Sequence, residues 1–173
     1  MEQLTDEILM LKVANGDLDV LKILFERHHS HVYNFLYKMC GDKMLSEDIT
    51  QEVFYKLMKY RSSYNNGKFV SWMFAIARNC LNTHFRRTIH NHDDIDAMHA
   101  KSIEDGNAKK DYSQLHMALS KLNASDRELL ILNRFQEIKY AELAEIVGST
   151  PGAVKTKVNR ALQKLKAIYF QNL

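Results

Sequence analysis

Apolar side chains recur at helical spacing along most of the chain, and short polar breaks divide this pattern into separate segments. The first helix is predicted to begin after Thr5, a residue type that caps helix N-termini, and to end before Gly16. One proline and six glycines in 173 residues also favour helices over turn-rich β structure. Further helices are predicted over residues 18–39, 46–60, 69–87, 112–122, 126–135, 140–147 and 151–169.

Residues 88–111 interrupt this pattern. They have little apolar periodicity and carry three Lys or Arg against six Asp or Glu, which is typical of a flexible acidic linker. The sequence therefore predicts an all-α protein of two small helical domains, residues 1–87 and 112–173, joined by this linker. Ser125 with Glu128 resembles a capping box that opens the helix predicted over 126–135.

The net charge is only +3, yet two stretches contain no acidic residue. The stretch from Val53 to His92 holds seven Lys or Arg, and the stretch from Lys155 to Lys166 holds five. Two basic surfaces indicate a protein that contacts a polyanion twice, although two solvated helix faces would give the same pattern. No apolar run approaches the roughly 20 residues of a membrane span and no signal peptide is seen, so a cytoplasmic protein without membrane insertion is expected.

The last two predicted helices have the pattern of a helix-turn-helix. Ala144 is small where two helices approach, Gly148 suits the turn, and Pro151 suits the first turn of the next helix because no N–H is needed there. An ordinary surface helix is also polar opposite its core, but an outer face without acids favours binding in the major groove of duplex DNA. The predicted DNA contacts are Lys155, Thr156, Lys157, Asn159, Arg160 and Gln163.

The helix predicted over residues 46–60 has a second polar face. Asp48, Gln51, Glu52, Tyr55 and Lys59 fall within an arc of about 100°, opposite the apolar residues. Such a cluster of acids and an amide suits docking of a basic protein partner. A solvated helix side is the alternative that composition alone leaves open.

Downstream of this helix, aromatic residues alternate with cations. Aromatic faces stack on unpaired bases while cations follow the backbone, so this composition suits single-stranded nucleic acid. Core packing is the alternative for Trp72, Ile76 and Phe69, which follow helical spacing. Core packing explains Tyr64 poorly, because this residue lies in a polar loop.

Taken together and in order, these segments resemble the sigma-70 family, and within it the extracytoplasmic-function group that retains only domains 2 and 4. The segments DITQEVF at 48–54 and FVSWMFAIARN at 69–79 resemble domain 2, and LSKL at 119–122 leads into a helix-turn-helix like that of domain 4. LTDE at 4–7 and the Gly16-Asp17 pair also fit. The resemblance covers nearly the whole chain and implies domain 2 over 1–87 and domain 4 over 112–173.

This resemblance implies an alternative sigma factor, which binds core RNA polymerase and directs promoter-specific initiation through −10 and −35 recognition and promoter melting. The implied polymerase contacts are the β′ clamp helices and the β flap, and the clamp contacts fall on Asp48, Gln51, Glu52 and Tyr55. Thr50 departs from the family, which usually has an aliphatic residue there. An anti-sigma factor, often membrane-tethered in this family, is a further implied partner.

The resemblance also assigns the promoter contacts. Tyr64 and Asn79 stand where the family builds a pocket for a base flipped out of the −10 element. The −35 contacts fall on the outward face of the last helix. In the linker, Asp93, Asp94 and Asp96 are candidates for mimicking nucleic-acid charge inside the polymerase. The implied −10 contacts are Tyr64, Trp72, Arg78, Asn79, Asn82, His84, Arg86 and Arg87.

The sequence gives little reason to expect an enzyme or a metal site. His28, His29 and His31 turn apart on a helix, and no motif with metal-ligand or nucleophile spacing accompanies them. Two cysteines cannot build a disulfide framework or a four-cysteine zinc site. We therefore expect no metal, no cofactor and no catalysis by this chain.

Two other functions are compatible with the residues alone. A stand-alone helix-turn-helix regulator would use the last helix but would have no use for the polar face of residues 48–52. A metal-dependent nuclease would cleave DNA in a reaction that a chelator abolishes.

Overall fold

The computed structural model describes residues 3–91 and 109–171, and these residues form α-helices without any strand, as predicted. Short 3₁₀ turns at Leu18–Val20 and Arg61–Ser63 and a π turn at Ile131–Phe135 join some of them. The helices are α1 Asp6–Ala14, α2 Leu21–Cys40, α3 Lys43–Lys59, α4 Phe69–Asn91, α5 Lys109–Lys121, α6 Ala124–Leu130, α7 Tyr140–Val147 and α8 Pro151–Gln171.

The described residues pack into two units. The first comprises residues 3–36 and 43–91, and the second comprises 37–42 and 109–171. The end of α2 therefore groups with the second unit. Helix extends into both ends of the segment predicted as a linker, because α4 runs to Asn91 and α5 begins at Lys109. The rest of that segment, with Asp93, Asp94 and Asp96, lies outside the described residues.

The first unit is built from α1, α2, α3 and α4 around an apolar core. Thr5 caps α1 as predicted, since its hydroxyl oxygen accepts the N–H of Ile8 at 3.3 Å. The helical spacing of apolar residues places one face of each helix inside, and each fully buried side chain contributes about 1.5–3 kcal/mol. The largest side chains in this core are Phe35, Phe69, Phe74, Leu9, Met10, Leu24, Leu36, Leu57, Met73 and Leu81.

In the second unit, α5, α6 and α7 pack against α8. The predicted capping box is wrong: α6 is capped by Asn123, whose side-chain oxygen accepts the N–H of Asp126 at 2.8 Å. The helix consequently starts two residues earlier than predicted, and Glu128 is buried within it. The predicted helix over 126–135 also changes character at Ile131, where a π turn begins.

Candidate nucleic-acid and protein interfaces

Helix α3 presents the predicted docking face to solvent. Ile49, Val53 and Leu57 form its buried row, none of them more than 2% exposed. Because these apolar residues fix the rotation of the helix, the opposite face is left outside. The side chains on that face are all exposed, with Tyr55 at 56%: Asp48, Gln51, Glu52 and Tyr55.

Thr50, the residue that departs from the family pattern, is buried in α3. Its hydroxyl donates to the backbone oxygen of Ser46 at 2.6 Å, four residues earlier in the helix. This hydrogen bond satisfies a polar group that would otherwise be costly to bury. Thr50 therefore replaces an aliphatic residue without disturbing the exposed face beside it.

Glu52 already has a cationic neighbour on its own helix. The Lys56 Nζ lies 3.0 Å from Glu52 Oε1, and the side chain of Glu52 remains 45% exposed. This hydrogen bond to Glu52 is the main reason that the pKa of Lys56 is raised. Behind the pair, burial raises the pKa of the Cys80 thiol, with the Glu52 charge adding to the effect. A buried cysteine with a neutral thiol thus lies beneath the Glu52–Lys56 pair on this face of α3.

Helix α8 presents the second predicted face. Val154, Val158, Ala161 and Leu165 are buried, as the helical spacing predicts. At roughly 100° per residue, four of the opposite side chains share an arc of about 100°. One lysine lies on each side of this arc, Lys155 on one and Lys157 on the other. The structure exposes all six predicted residues: Lys155, Thr156, Lys157, Asn159, Arg160 and Gln163.

The turn before α8 fixes the direction in which this face points. Gly148 ends α7 in the left-handed conformation, with φ at 71°, which favours glycine because it has no side chain. Thr150 then caps α8, since its hydroxyl oxygen accepts the N–H of Ala153 at 3.3 Å. Asp126 holds the far part of α8 through Lys164, whose Nζ lies 3.0 Å from Oδ2. The helix is therefore capped at its start and tied to α6 in its second half.

Helix α4 carries most of the predicted −10 residues, but not on one face. Trp72, Asn79, Asn82 and Arg86 share an arc of about 80° at the helical repeat of roughly 100° per residue. Arg78 lies about 40° beyond one edge of this arc and Arg87 about 60° beyond the other, whereas His84 points to the opposite side of the helix. Asn79, Arg86 and Arg87 are exposed, and the rest are half-buried: Trp72, Arg78, Asn82 and His84.

The structure places Tyr64 in the core, contrary to the expectation that core packing explains it poorly. Only 6% of Tyr64 is exposed, and its hydroxyl donates to the backbone oxygen of Gly67. Its ring lies 5.2 Å from the Trp72 ring and 6.5 Å from the Phe69 ring, measured between centroids. The loop folds back on α4, so Tyr64 supports Trp72 from behind. Its contact with a flipped base stays a prediction.

Burial raises the pKa of Tyr64 to about 12, and two acids add to the effect. These acids, Glu7 and Asp6, belong to α1 and lie far from Tyr64 in sequence. Glu7 Oε1 accepts the backbone N–H of Phe69, the first residue of α4, at 3.2 Å. The family resemblance includes the segment 4–7 but implies no role for Glu7. Helical periodicity offers no signal for a hydrogen bond across 62 positions.

No described helix has the length and apolar character needed to cross a membrane. Within residues 3–91 and 109–171, His, Cys, Asp and Glu side chains form no group of three that could hold a metal ion.

Two family models match the chain, and they match its two halves in order. The model of Sigma-70 region 2 matches residues 24–89, and the model of Sigma-70, region 4 matches residues 112–165. Together these matches cover α2 to α4 and α5 to most of α8.

Curated relatives extend the likeness over nearly the whole chain. The sequence is 28% identical to the RNA polymerase sigma factor CarQ of Myxococcus xanthus, covering 92% of this chain and 94% of that protein. It is also 28% identical to the ECF RNA polymerase sigma factor SigM of Bacillus subtilis, covering 84% of this chain and 93% of SigM. The ECF RNA polymerase sigma-E factor of Escherichia coli is 27% identical, with 95% and 94% covered.

Solved structures show the same fold. CnrH, solved in complex with the cytosolic domain of CnrY, superposes with a TM-score of 0.78 at 20% identity, covering 97% of this chain and 99% of CnrH. The sigma factor RpoE from Bartonella quintana, solved with the anti-sigma factor NepR, gives a TM-score of 0.72 at 24% identity, covering 91% and 96%.

Two helical units, one with a helix-turn-helix and the other with an exposed acidic face on α3, together with the two family matches define a DNA-binding regulator of transcription initiation. The chain belongs to the sigma-70 family, in its extracytoplasmic-function group. It is an alternative sigma factor that directs promoter-specific transcription. Proteins of this family are DNA-binding regulators and not enzymes.

Proposed function

We propose that this sigma factor docks on the β′ clamp helices of core RNA polymerase through the exposed face of α3. The single observation that carries the proposal is the exposure of Asp48, Gln51 and Glu52 above a row of fully buried apolar residues. In water, these two carboxylates and the amide add little to the stability of the fold beyond the exposed pair of Glu52 with Lys56. A basic partner surface would gain both charge complementarity and a fixed register.

In this proposal, α8 reads the −35 element as duplex DNA. Asn159, Arg160 and Gln163 offer hydrogen-bonding groups to base edges in the major groove. Thr156 donates its hydroxyl to the backbone oxygen of Gly152 at 3.1 Å, so toward DNA it acts as an acceptor. The flanking Lys155 and Lys157 contact phosphates, which position the helix but do not read sequence.

The −10 element is captured as a single strand by one stripe of side chains on α4. The stripe consists of Trp72, Asn79, Asn82 and Arg86. Extruding a base costs a few kcal/mol of stacking and pairing, and stacking on an aromatic ring returns about 1–3 kcal/mol per base. The half-buried Trp72 ring supplies such a surface, and the Tyr64 ring packs against it. Asn79, about two helical turns further along the same side of α4, supplies an exposed amide. Arg86 and Arg87 follow the strand backbone. Arg78 borders this path, whereas His84 lies on the opposite side of α4 and takes no part in it.

An anti-sigma factor is the further partner that we propose. CnrH and the Bartonella RpoE share this fold and were each solved with a protein partner, in RpoE the anti-sigma factor NepR. A bound inhibitor of this kind would keep the polymerase face and the promoter faces covered until a signal releases it. The site of action is the bacterial cytoplasm, where polymerase and promoter lie.

Run-off transcription with purified core polymerase tests the function directly. Core polymerase with this protein should give discrete transcripts from a subset of genomic promoter fragments, and core polymerase alone should not. A control reaction with a housekeeping sigma factor verifies that the core enzyme is competent. If the protein binds DNA fragments by itself but selects no start site, the stand-alone helix-turn-helix regulator replaces the sigma-factor proposal.

A further inference from the structure

Helix α1 lies against the start of α4 and against the turn Arg61–Ser63 that precedes it. Its inner face is apolar, with Leu9, Met10 and Val13 no more than 1% exposed. Its first turn is different, because it carries two carboxylates toward neighbouring helices. These carboxylates make contacts that the apolar packing of α1 does not need.

Asp6 anchors the first turn of α1 to α2. Its Oδ1 accepts from Arg27 Nη1 at 2.9 Å, and its Oδ2 lies 2.8 Å from His28 Nε2. The same Arg27 nitrogen donates to the backbone oxygen of Leu4 at 2.9 Å. Both carboxylate oxygens are thus engaged from α2, and the helix end is held in one place.

Glu7, the next residue, reaches from this anchored turn to α4. Its Oε1 accepts the backbone N–H of Phe69 at 3.2 Å. The first N–H groups of a helix have no partner inside the helix, so a cap normally comes from the residue just before it. Here a carboxylate 62 residues away provides it, in a place where the helix dipole favours a negative charge.

The bond from Glu7 ends at the centre of the aromatic cluster behind the −10 stripe. The Phe69 ring is fully buried, 5.4 Å from the His28 ring and 6.5 Å from the rings of Tyr64 and Trp72. A shift at Phe69 would therefore move Trp72, which lies one helical turn further along α4. The loop of residues 64–68 would move with Trp72, because the Tyr64 ring packs near both the Phe69 ring and the Trp72 ring.

We infer that Glu7 is a positioning residue for −10 recognition: its carboxylate caps α4 from α1 and so fixes Trp72 in the orientation that captures an unpaired base. This inference rests on the proposed function of the α4 stripe. Glu7 itself touches no DNA. Its effect is to keep the binding-competent arrangement populated, and the apparent affinity falls in proportion when that population falls.

The test uses holoenzyme assembled from core polymerase and full-length protein, with two DNA probes. A forked probe with an unpaired −10 strand reports capture, and a duplex probe with only the −35 element reports α8. Glu7→Ala should weaken binding to the forked probe about tenfold, as expected for loss of a charge-assisted hydrogen bond. Its binding to core polymerase and to the duplex probe should change by less than about twofold, within the scatter of surface substitutions.

Two conservative variants separate the hydrogen bond from the charge. Glu7→Gln keeps an acceptor oxygen at the same reach but lacks the charge, so it should restore part of the forked-probe affinity. Glu7→Asp keeps the charge but is one methylene shorter, so it should bind the forked probe as poorly as Glu7→Ala. If Glu7→Asp restores binding and Glu7→Gln does not, charge near α4 matters and the capping inference is wrong. This comparison stands even if Glu7→Ala fails to fold.

The matched control is Glu26→Ala, which removes an exposed carboxylate of α2 whose pair with Lys22 is 3.9 Å long. It should match the wild type on both probes. Equal binding of the forked probe by Glu7→Ala and Glu26→Ala would overturn the inference while leaving the sigma-factor function intact. Failure of the wild-type holoenzyme to bind either probe would instead contradict the proposed function.

Discussion

The two helices proposed to contact the promoter, α4 and α8, differ in what holds them in place. Helix α8 has one row of four buried side chains, and its outward residues are positioned by that row, by a local turn and cap, and by a single ion pair with Asp126. In α4, Trp72 packs on a cluster of side chains that come from α1, α2, the loop of residues 64–68 and the first turn of α4 itself. Substitutions far from α8 should leave its outer face unchanged. Substitutions in α1 or α2 should instead shift the aromatic residues of α4.

This difference between α8 and α4 fits their proposed tasks, which are the reading of duplex DNA and the capture of an unpaired base. Duplex DNA presents a rigid groove, and a single helix with outward side chains is sufficient to read it. A base taken out of the stack has no such framework and must be met by groups already in position. The polymerase face of α3 resembles α8 in this respect, since it also rests on one row of buried residues.

The largest expected effect concerns α3. The double substitution Gln51→Ala with Glu52→Ala should weaken binding to core polymerase by about 30-fold, as expected for loss of central interface residues. Its thermal unfolding should match the wild type, because both side chains are exposed. Fluorescence titration with core polymerase measures the affinity. Glu145→Ala, an exposed carboxylate on α7, is the control, and equal affinities for the two variants would contradict the docking assignment.

The second prediction concerns specificity at −35. Arg160→Ala should lower the preference for matched over mutated −35 sequence by about tenfold or more, since a good side-chain pair with a base contributes about 1–3 kcal/mol. Lys157→Ala serves as the comparison, because a phosphate contact should weaken binding to all sequences alike and lower the salt slope by about one. Quantitative footprints at several salt concentrations distinguish the two. Identical footprints of Arg160→Ala on both sequences would refute base reading by this residue.

A third prediction compares two glycines that border α8. Gly148→Ala should cost about 1 kcal/mol of unfolding free energy, because the left-handed φ of 71° is unfavourable for alanine. Gly152→Ala should gain about 0.5–1 kcal/mol, because this glycine lies inside the helix with open space around its Cα. Denaturant unfolding of both variants measures the difference. The same sign for both would show that the turn does not set the stability of the second unit.

The smallest effect concerns Tyr64. Its folded pKa of about 12 lies above the ordinary value of 10, so the fold favours the neutral phenol. This contribution to stability is fully present below pH 10 and is lost as the pH rises through about 12. Tyr64→Phe should therefore flatten the decline in unfolding free energy across that range. Tyr60→Phe, which alters an exposed tyrosine, should leave the decline unchanged, and equal declines in all three proteins would contradict the burial of Tyr64.

The exposed faces of α3 and α8 could be predicted from the sequence because each depends on the period of a single helix. Thr5 and Gly148 could also be predicted, since caps and turns follow local chemistry. The sequence misassigned Ser125, because Asn123 two residues earlier competes for the same role. It could not predict the burial of Tyr64, which depends on the loop folding back on α4, or the contact of Glu7 with Phe69, which joins residues 62 positions apart. Local patterns carry no information about such contacts.

If polymerase docks on α3 as proposed, the pair of Glu52 and Lys56 has a consequence for how ions affect this binding. A basic surface that docks on α3 exchanges one cation for another at Glu52, whereas at Asp48 it meets a carboxylate without such a neighbour in the described part of the chain. Association is therefore partly an ion-exchange reaction, and fewer bound counterions are displaced than the number of acids on the helix suggests. A shift in cellular potassium would then disturb this contact less than it disturbs the grip of α8 on DNA.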